Sequence, residues 1–210
     1  MIIHEKVIQG SEVWAALRRG RPTASRFKDI ITAAKGDLSK SSPAYIAELI
    51  GECFVPDWID FAGNKFTDHG TELEPVARKA FEEHTGYQAT EVGFVTRADG
   101  VVGCSPDGLI TGPSGGYMSG VEIKCPSPKV HVGWIMAGGL PDEHKQQVHG
   151  SMAVTGLNSW HFFSFFPGLQ PFYVIVHRDA YTAKLSASLD DFLIQYAAAR
   201  SAVIPKLSLQ

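Results

Sequence analysis

Between Gly86 and Gly120 the chain is broken by turn residues every few positions, and the pieces between and just after them, EVGFVT, GVVGCS and GVEIKC, are short and β-rich. A segment of this kind predicts an antiparallel meander or hairpin set. Its surroundings are helical. Ser42 followed by Pro43 reads as a cap and an N1 proline, and Tyr45, Ile46, Leu49, Ile50, Cys53 and Phe54 recur at helical spacing. From about Thr71 to His84, the residues Leu73, Val76, Ala77, Ala80 and Phe81 mark a second amphipathic helix that stops at Gly86 and carries Glu74 in its first turn. Earlier, Ser11 caps a short helix through Trp14 and Leu17 that ends at Gly20, with Arg18, Arg19 and Arg21 bunched at the turn and another helix starting near Thr23. Beyond the β-rich segment comes a helix over roughly Glu143 to Val154. Then NSWHFFSFF and QPFYVIV are apolar runs whose length suits buried strands. A closing helix, Ala180 to Val203, has Tyr181, Leu185, Leu189, Phe192, Leu193 and Tyr196 on one stripe. Helices before and after a central sheet predict an α/β (α+β) core.

Composition narrows the function classes. A chain of 210 residues buries a sizeable core without staples, so one domain over 1–210 is the expectation. With 19 basic and 22 acidic side chains and a net charge of -3, it does not coat nucleic acid by bulk positive charge, although a local basic face is compatible with that balance. Cys53, Cys104 and Cys125 form no CxxC pair, which argues against a disulfide framework or a structural zinc site. The longest run free of Asp, Glu, Lys and Arg, Gln146 to His177, is interrupted by Gly150, Gly156, Asn158, Pro167, Gly168 and Pro171, and reads as buried strands, not a membrane span. The opening MIIHEKVIQG lacks the basic, apolar, small-residue order of a signal peptide, so a reducing cytoplasm is expected.

The chemistry concentrates in SPDGL, Ser105 to Leu109, and VEIKCP, Val121 to Pro126. Strand alternation sends Val121 and Ile123 to one side and projects Glu122 and Lys124 together from the other. A hairpin across residues 110–120 brings Asp107 beside Glu122. Two close carboxylates are ligands for a hard cation and resist sharing a site without one, and the Ile123 carbonyl adds a backbone oxygen. Oxygen ligands without a histidine or thiol cluster favour Mg²⁺ or Mn²⁺ over zinc. The chemistry that needs these parts is phosphodiester hydrolysis, with Lys124 orienting water or stabilising the developing charge. The competing reading is a surface ion pair, because D…ExK recurs by chance on strands. Pro106 and Gly108 around Asp107, the CP that follows Lys124, and Glu74 as a third acid weigh against it.

LRRGRPTASRF, GTELEP, CSPDGL, VEIKCP and QQVHGSMAVTG, in this order over most of the chain, resemble the λ exonuclease or YqaJ-type branch of the PD-(D/E)xK nucleases. The resemblance implies a restriction-endonuclease-like core, a central mixed β-sheet flanked by helices. It also implies Mg²⁺-dependent, ATP-independent 5′→3′ digestion of one strand of linear double-stranded DNA, leaving 3′ tails for phage-type annealing recombination. Asp107, Glu122 and the Ile123 carbonyl correspond to the metal ligands, for two Mg²⁺ ions with Mn²⁺ as substitute. Lys124 corresponds to the lysine that positions the nucleophile, and Glu74 to the helical acid supporting metal and water. Arg18, Ser25, Ser105 and Gln147 correspond to the pocket for the terminal 5′-phosphate, where an arginine fork, hydroxyls and an amide suit a monoester. A ring-shaped homotrimer around DNA and a single-strand annealing partner are implied as well, in a phage-infected or prophage-bearing bacterial cytoplasm.

The chain also departs from that pattern. His149 stands where family members often carry a second glutamine, and is expected to serve packing or a DNA contact, not a metal. Lys35 lies near a basic DNA-contacting position of the family, but a surface lysine is the better reading. Cys104 and Cys125 read as small buried hydrophobes, and Trp160, Phe162, Phe163, Phe165 and Phe166 as core in preference to base-stacking rings. Alternatives to an exonuclease are an endonuclease on the same core and a nuclease-like DNA-binding module without catalysis. Closed-circular DNA discriminates the first, and cleavage itself the second.

Overall fold

The computed structural model describes residues 1–55 and 65–207, with side chains at all of these except 65–72. The chain opens with β1 (Ile2–His4), α1 (Glu12–Arg18), a 3-10 turn at Ala24–Arg26 running into α2 (Phe27–Ile30), α3 (Ser42–Phe54) and α4 (Lys65–Thr85). The β-rich segment holds β2 (Ala89–Thr90), β3 (Phe94–Thr96), β4 (Gly103–Cys104), β5 (Gly108–Thr111) and β6 (Tyr117–Lys124). There follow α5 (Pro128–Ala137), α6 (Asp142–Thr155), β7 (Ser159–Ser164), β8 (Phe172–His177) and α7 (Ala180–Leu207).

Local signals account for most boundaries. Ser11 caps α1 by accepting from the Trp14 N–H, and Gly86 and Gly156 adopt positive φ after α4 and α6, where a residue with Cβ is strained. At α3 the cap position falls to Ser41, one residue before the expected Ser42, which is already helical with Pro43 following it; at α5 Ser127 is the cap and Pro128 the first helical residue. The apolar spacing does not single that helix out, because only His131 of it is buried. At the end of α3, Cys53 and Phe54 are exposed, so the apolar stripe stops at Ile50. Side chains of the Gly70–Glu72 part of the GTELEP motif lie outside the described residues.

The five-stranded sheet has the order β2-β5-β6-β7-β8. Its neighbours are antiparallel except β6 and β7, which run parallel with Glu122 opposite Phe162. A parallel pair needs a crossover, and α5 and α6 supply it. A three-stranded sheet, β1-β3-β4, stands beside it. The expected single hairpin set is therefore divided between two sheets. The break falls at Ser105-Pro106-Asp107, where Pro106 has no N–H to continue a ladder and the chain passes from β4 to β5.

Alternation along β7 shows how the sheet is covered. Trp160 and Phe162 enter a large core with Phe27, Leu49, Met152, Leu185 and Phe192, whereas Phe163 enters a smaller one with Ala77 and Phe81 of α4. All three aromatics of β7 are fully buried, which makes them core. Val121 and Ile123 of β6 lie in the α4 cluster, so Glu122 and Lys124 face α6. The fold is an α/β (α+β) arrangement with a central mixed sheet flanked by helices. Among the described residues no helix is long and apolar enough to cross a membrane.

Candidate active site

The hairpin register builds the site. Gly108 pairs with Val121 across β5 and β6, which places Asp107 at the mouth of the hairpin beside Glu122 and Ile123. The Asp107 N–H donates to the Val121 carbonyl at 3.1 Å, and the Ile123 N–H donates to Asp107 Oδ2 at 2.5 Å. The carboxylate thus replaces the backbone carbonyl that β5 no longer provides. Because hydrogen-bonding direction alternates along a strand, the Ile123 carbonyl points to the same side as its N–H, past the start of β5 and toward Asp107.

Glu122 lies on the opposite face of β6 at 2% exposure, which excludes a surface ion pair. Gln147 Nε2, from α6, donates to Glu122 Oε1 at 2.6 Å, and Lys124 Nζ pairs with the same oxygen. Each carboxylate is pinned through one oxygen, Oδ2 of Asp107 and Oε1 of Glu122, and among the described residues no hydrogen bond engages the other oxygen. Glu74 comes from α4 on the other face of the sheet, half-buried and paired with Arg78 at 3.0 Å.

Electrostatics follow from this crowding. Burial raises the Glu122 pKa to about 7, with Lys124 opposing it and Asp107 adding to it. Burial also raises Asp107, against the pull of Lys124, and raises Glu74 together with repulsion from Asp107. For Lys124, burial works against the charge, but Glu122 and Asp107 overcome it and hold the ammonium protonated. Three acids whose ionisation is disfavoured suit a divalent cation, whose charge offsets their repulsion. Among the described residues no group of three or more His, Cys, Asp or Glu side chains converges on one metal position. The groups that could hold such a cation are the Asp107 and Glu122 carboxylates and the Ile123 carbonyl, with water completing the shell.

A second cluster adjoins through Ser105, two residues before Asp107. Arg18 at the end of α1 donates to Ser105 Oγ and Ser25 Oγ, both at 3.3 Å. Its guanidinium lies 4.2 Å from the Trp14 ring centroid, and Trp14 Nε1 donates to Ser105 Oγ at 2.9 Å. These contacts take Arg18 out of the role of a solvated helix-end charge, and burial lowers its pKa. Arg18 and Trp14 line a cleft of about 290 Å³ together with Arg21, Arg26 and Thr23. Gln147 is not drawn into it, since its amide is bound to Glu122. Trp14 is the residue that sequence reasoning passes over in this cluster, although its i, i+4 spacing to Arg18 on α1 is a readable signal.

The remaining candidates lie elsewhere. His149 is buried against α7, its Nδ1 2.7 Å from Thr182 Oγ1 and its ring 4.9 Å from that of Tyr181, which is packing. Lys35 is exposed in the loop between α2 and α3. Cys104 is buried, while Cys125 is only partly so.

The fold, with acids meeting at the mouth of the central hairpin, is the nuclease-like fold of the alkaline exonucleases. Residues 13–158 match the profile of the YqaJ-like viral recombinase domain, and the chain belongs to that family. It is 33% identical to the alkaline exonuclease LHK-Exo from Laribacter hongkongensis, with a TM-score of 0.80, over 93% of this chain and 97% of that one. The same enzyme in complex with dAMP gives a TM-score of 0.79 at the same identity and coverage. A phage related exonuclease from Haemophilus somnus 129PT shares the fold at a TM-score of 0.62 and 17% identity, over 92% of this chain and 99% of that one. No curated protein matches the chain.

Proposed function

We propose that this protein is a Mg²⁺-dependent, ATP-independent exonuclease that digests one strand of linear double-stranded DNA 5′→3′, leaving 3′ single-stranded tails for annealing recombination. The observation that carries the reading is the partly buried Asp107 at the mouth of the hairpin beside buried Glu122, which is paired with Lys124, joined by Ser105 to the Arg18 cluster. Family membership and the likeness to an alkaline exonuclease support it.

Asp107, Glu122 and the Ile123 carbonyl would hold Mg²⁺, or Mn²⁺ in its place, as two ions per site. When bound, the cations polarise the phosphoryl oxygens and favour ionisation of water. Lys124, kept protonated by its acid neighbours, faces the charge that grows on the phosphoryl oxygens and orients the attacking water. Glu74 supports that water from the α4 side. The water oxygen bonds to phosphorus and the P–O3′ bond breaks, so the released nucleotide leaves with a 3′-hydroxyl and the shortened strand keeps a 5′-phosphate. Arg18, Ser25 and Ser105 bind that new terminal phosphate. In this reading Gln147 serves the pocket through Glu122, by holding one of the metal ligands in place.

The same reading includes a homotrimer encircling the duplex, a phage-type single-strand annealing protein as partner, and action in the bacterial cytoplasm. Incubating linear and closed-circular duplex with Mg²⁺ or with EDTA tests the activity. Degradation of linear DNA alone, and only with Mg²⁺, is the expected result. Cutting of the circle would assign an endonuclease, and cleavage of neither a binding module.

A further inference from the structure

The backbone around Asp107 is gripped from outside the sheet. Gln9 Nε2 donates to the Pro106 carbonyl at 3.0 Å, and the next carbonyl, that of Asp107, accepts from Arg78 Nη1. Arg78 sits one turn after Glu74 on α4, with its side chain 14% exposed. Its Nη2 lies 3.0 Å from Glu74 Oε1 and its Nε 2.9 Å from Glu91 Oε1. One guanidinium thus ties α4, the loop after β2 and the Asp107 turn together, beside a cleft of about 540 Å³ that Glu74 and Asp107 also line.

We infer that Arg78 is a positioning residue for the hydrolysis proposed above, on which this inference rests: it sets the Glu74 carboxylate and the Asp107 backbone in one register. Asp107 is fixed by its own N–H, by the bond from Ile123 and by this carbonyl contact. Without the last, the Asp107 turn is held by two contacts in place of three, and Glu74 loses the partner that directs it to the site. Displacements of about 1 Å at a reacting centre lower rates by about a hundredfold. The planar fork is essential, because a lysine ammonium does not span the same acceptors.

The test is steady-state digestion of linear 5′-phosphorylated duplex with Mg²⁺ by the full chain, with thermal unfolding measured on every variant. Arg78→Ala is expected to lower kcat by about 10- to 100-fold with KM for duplex ends unchanged. Arg78→Lys is expected to keep the fold and recover little of the loss. In a Glu74→Gln background, Arg78→Ala should lower kcat far less than it does alone, because the two act as a unit. Wild-type kcat in Arg78→Lys, independent effects that multiply in the double variant, or a raised KM with kcat intact would each overturn the assignment. An inert wild-type protein would instead overturn the nuclease reading, and this inference with it, and the wild-type control alone registers that.

Discussion

Glu122 carries the sharpest consequences at the scale of single residues. It is buried, pinned by Gln147 and Lys124, and its pKa is raised to about 7. Glu122→Gln keeps the shape and the Gln147 contact region but removes a ligand charge, so cleavage should fall by about a hundredfold or more, the scale of losing one preorganised electrostatic contact. Asp107→Asn should do the same. Activity within a few-fold of wild type in either variant would contradict the site. Lys124→Ala should retain DNA binding and lose turnover, since its charge acts on water and the developing phosphoryl charge. The pH dependence has a definite sign. A folded pKa above the ordinary carboxylate value of about 4.3 means that Glu122 favours folding at low pH and that this contribution is lost as pH rises through about 7. In the metal-free protein, the unfolding free energy of wild type minus that of Glu122→Gln should therefore decline across that window. Calorimetry should find Mg²⁺ bound more weakly, and with more proton release, at about pH 6 than at about pH 8, because proton and cation compete for one carboxylate. Equal affinity at both would contradict the ligand assignment.

At the scale of elements, close packing makes the central sheet intolerant of a side chain at Gly120. A Cβ on Gly120 of β6 would collide with the ring of Trp160 on β7, which is fully buried and has nowhere to go. Gly120→Ala should destabilise the fold by about 1–3 kcal/mol, read as a lower urea midpoint, while activity per folded molecule is preserved. An unchanged midpoint would mean that the β6–β7 contact is looser than described. Most elements announce themselves locally: the Ser11 cap of α1, the serine-proline start of α3, and the apolar runs of β7 and β8. Two features do not. The division into two sheets depends on Pro106 interrupting a ladder between strands that look alike in sequence, and α5 has too little buried surface to show a helical period. In the site, Asp107, Glu122 and Lys124 are legible because strand alternation and one hairpin determine their meeting. The Gln147 bond to Glu122 is not, because it depends on how α6 packs over β6, a long-range fact with no local signal.

For the whole molecule, a net charge of -3 is reconciled with a DNA substrate by placement. Arg18, Arg21 and Arg26 line one cleft with Glu52; Arg26 is paired with Asp29 and Glu48, so Arg18 and Arg21 supply the local potential that guides a polyanion. Light scattering should give the mass of three chains of 22.8 kDa; a monomer at working concentration would remove the encircling assembly from the account. On the proposed function, hydrolysis is directed from a terminal phosphate held by Arg18. A monoester carries about -1.5 to -2 of charge, more than an internal diester, so the fork on Ser25 and Ser105 should favour it strongly. The direct measurement compares digestion of 5′-phosphorylated and 5′-hydroxyl linear duplexes by wild type and Arg18→Ala with Mg²⁺. Wild type should digest phosphorylated ends faster than hydroxyl ends, and Arg18→Ala should digest both slowly and at near-equal rates. Equal wild-type rates on the two ends would contradict the role of Arg18.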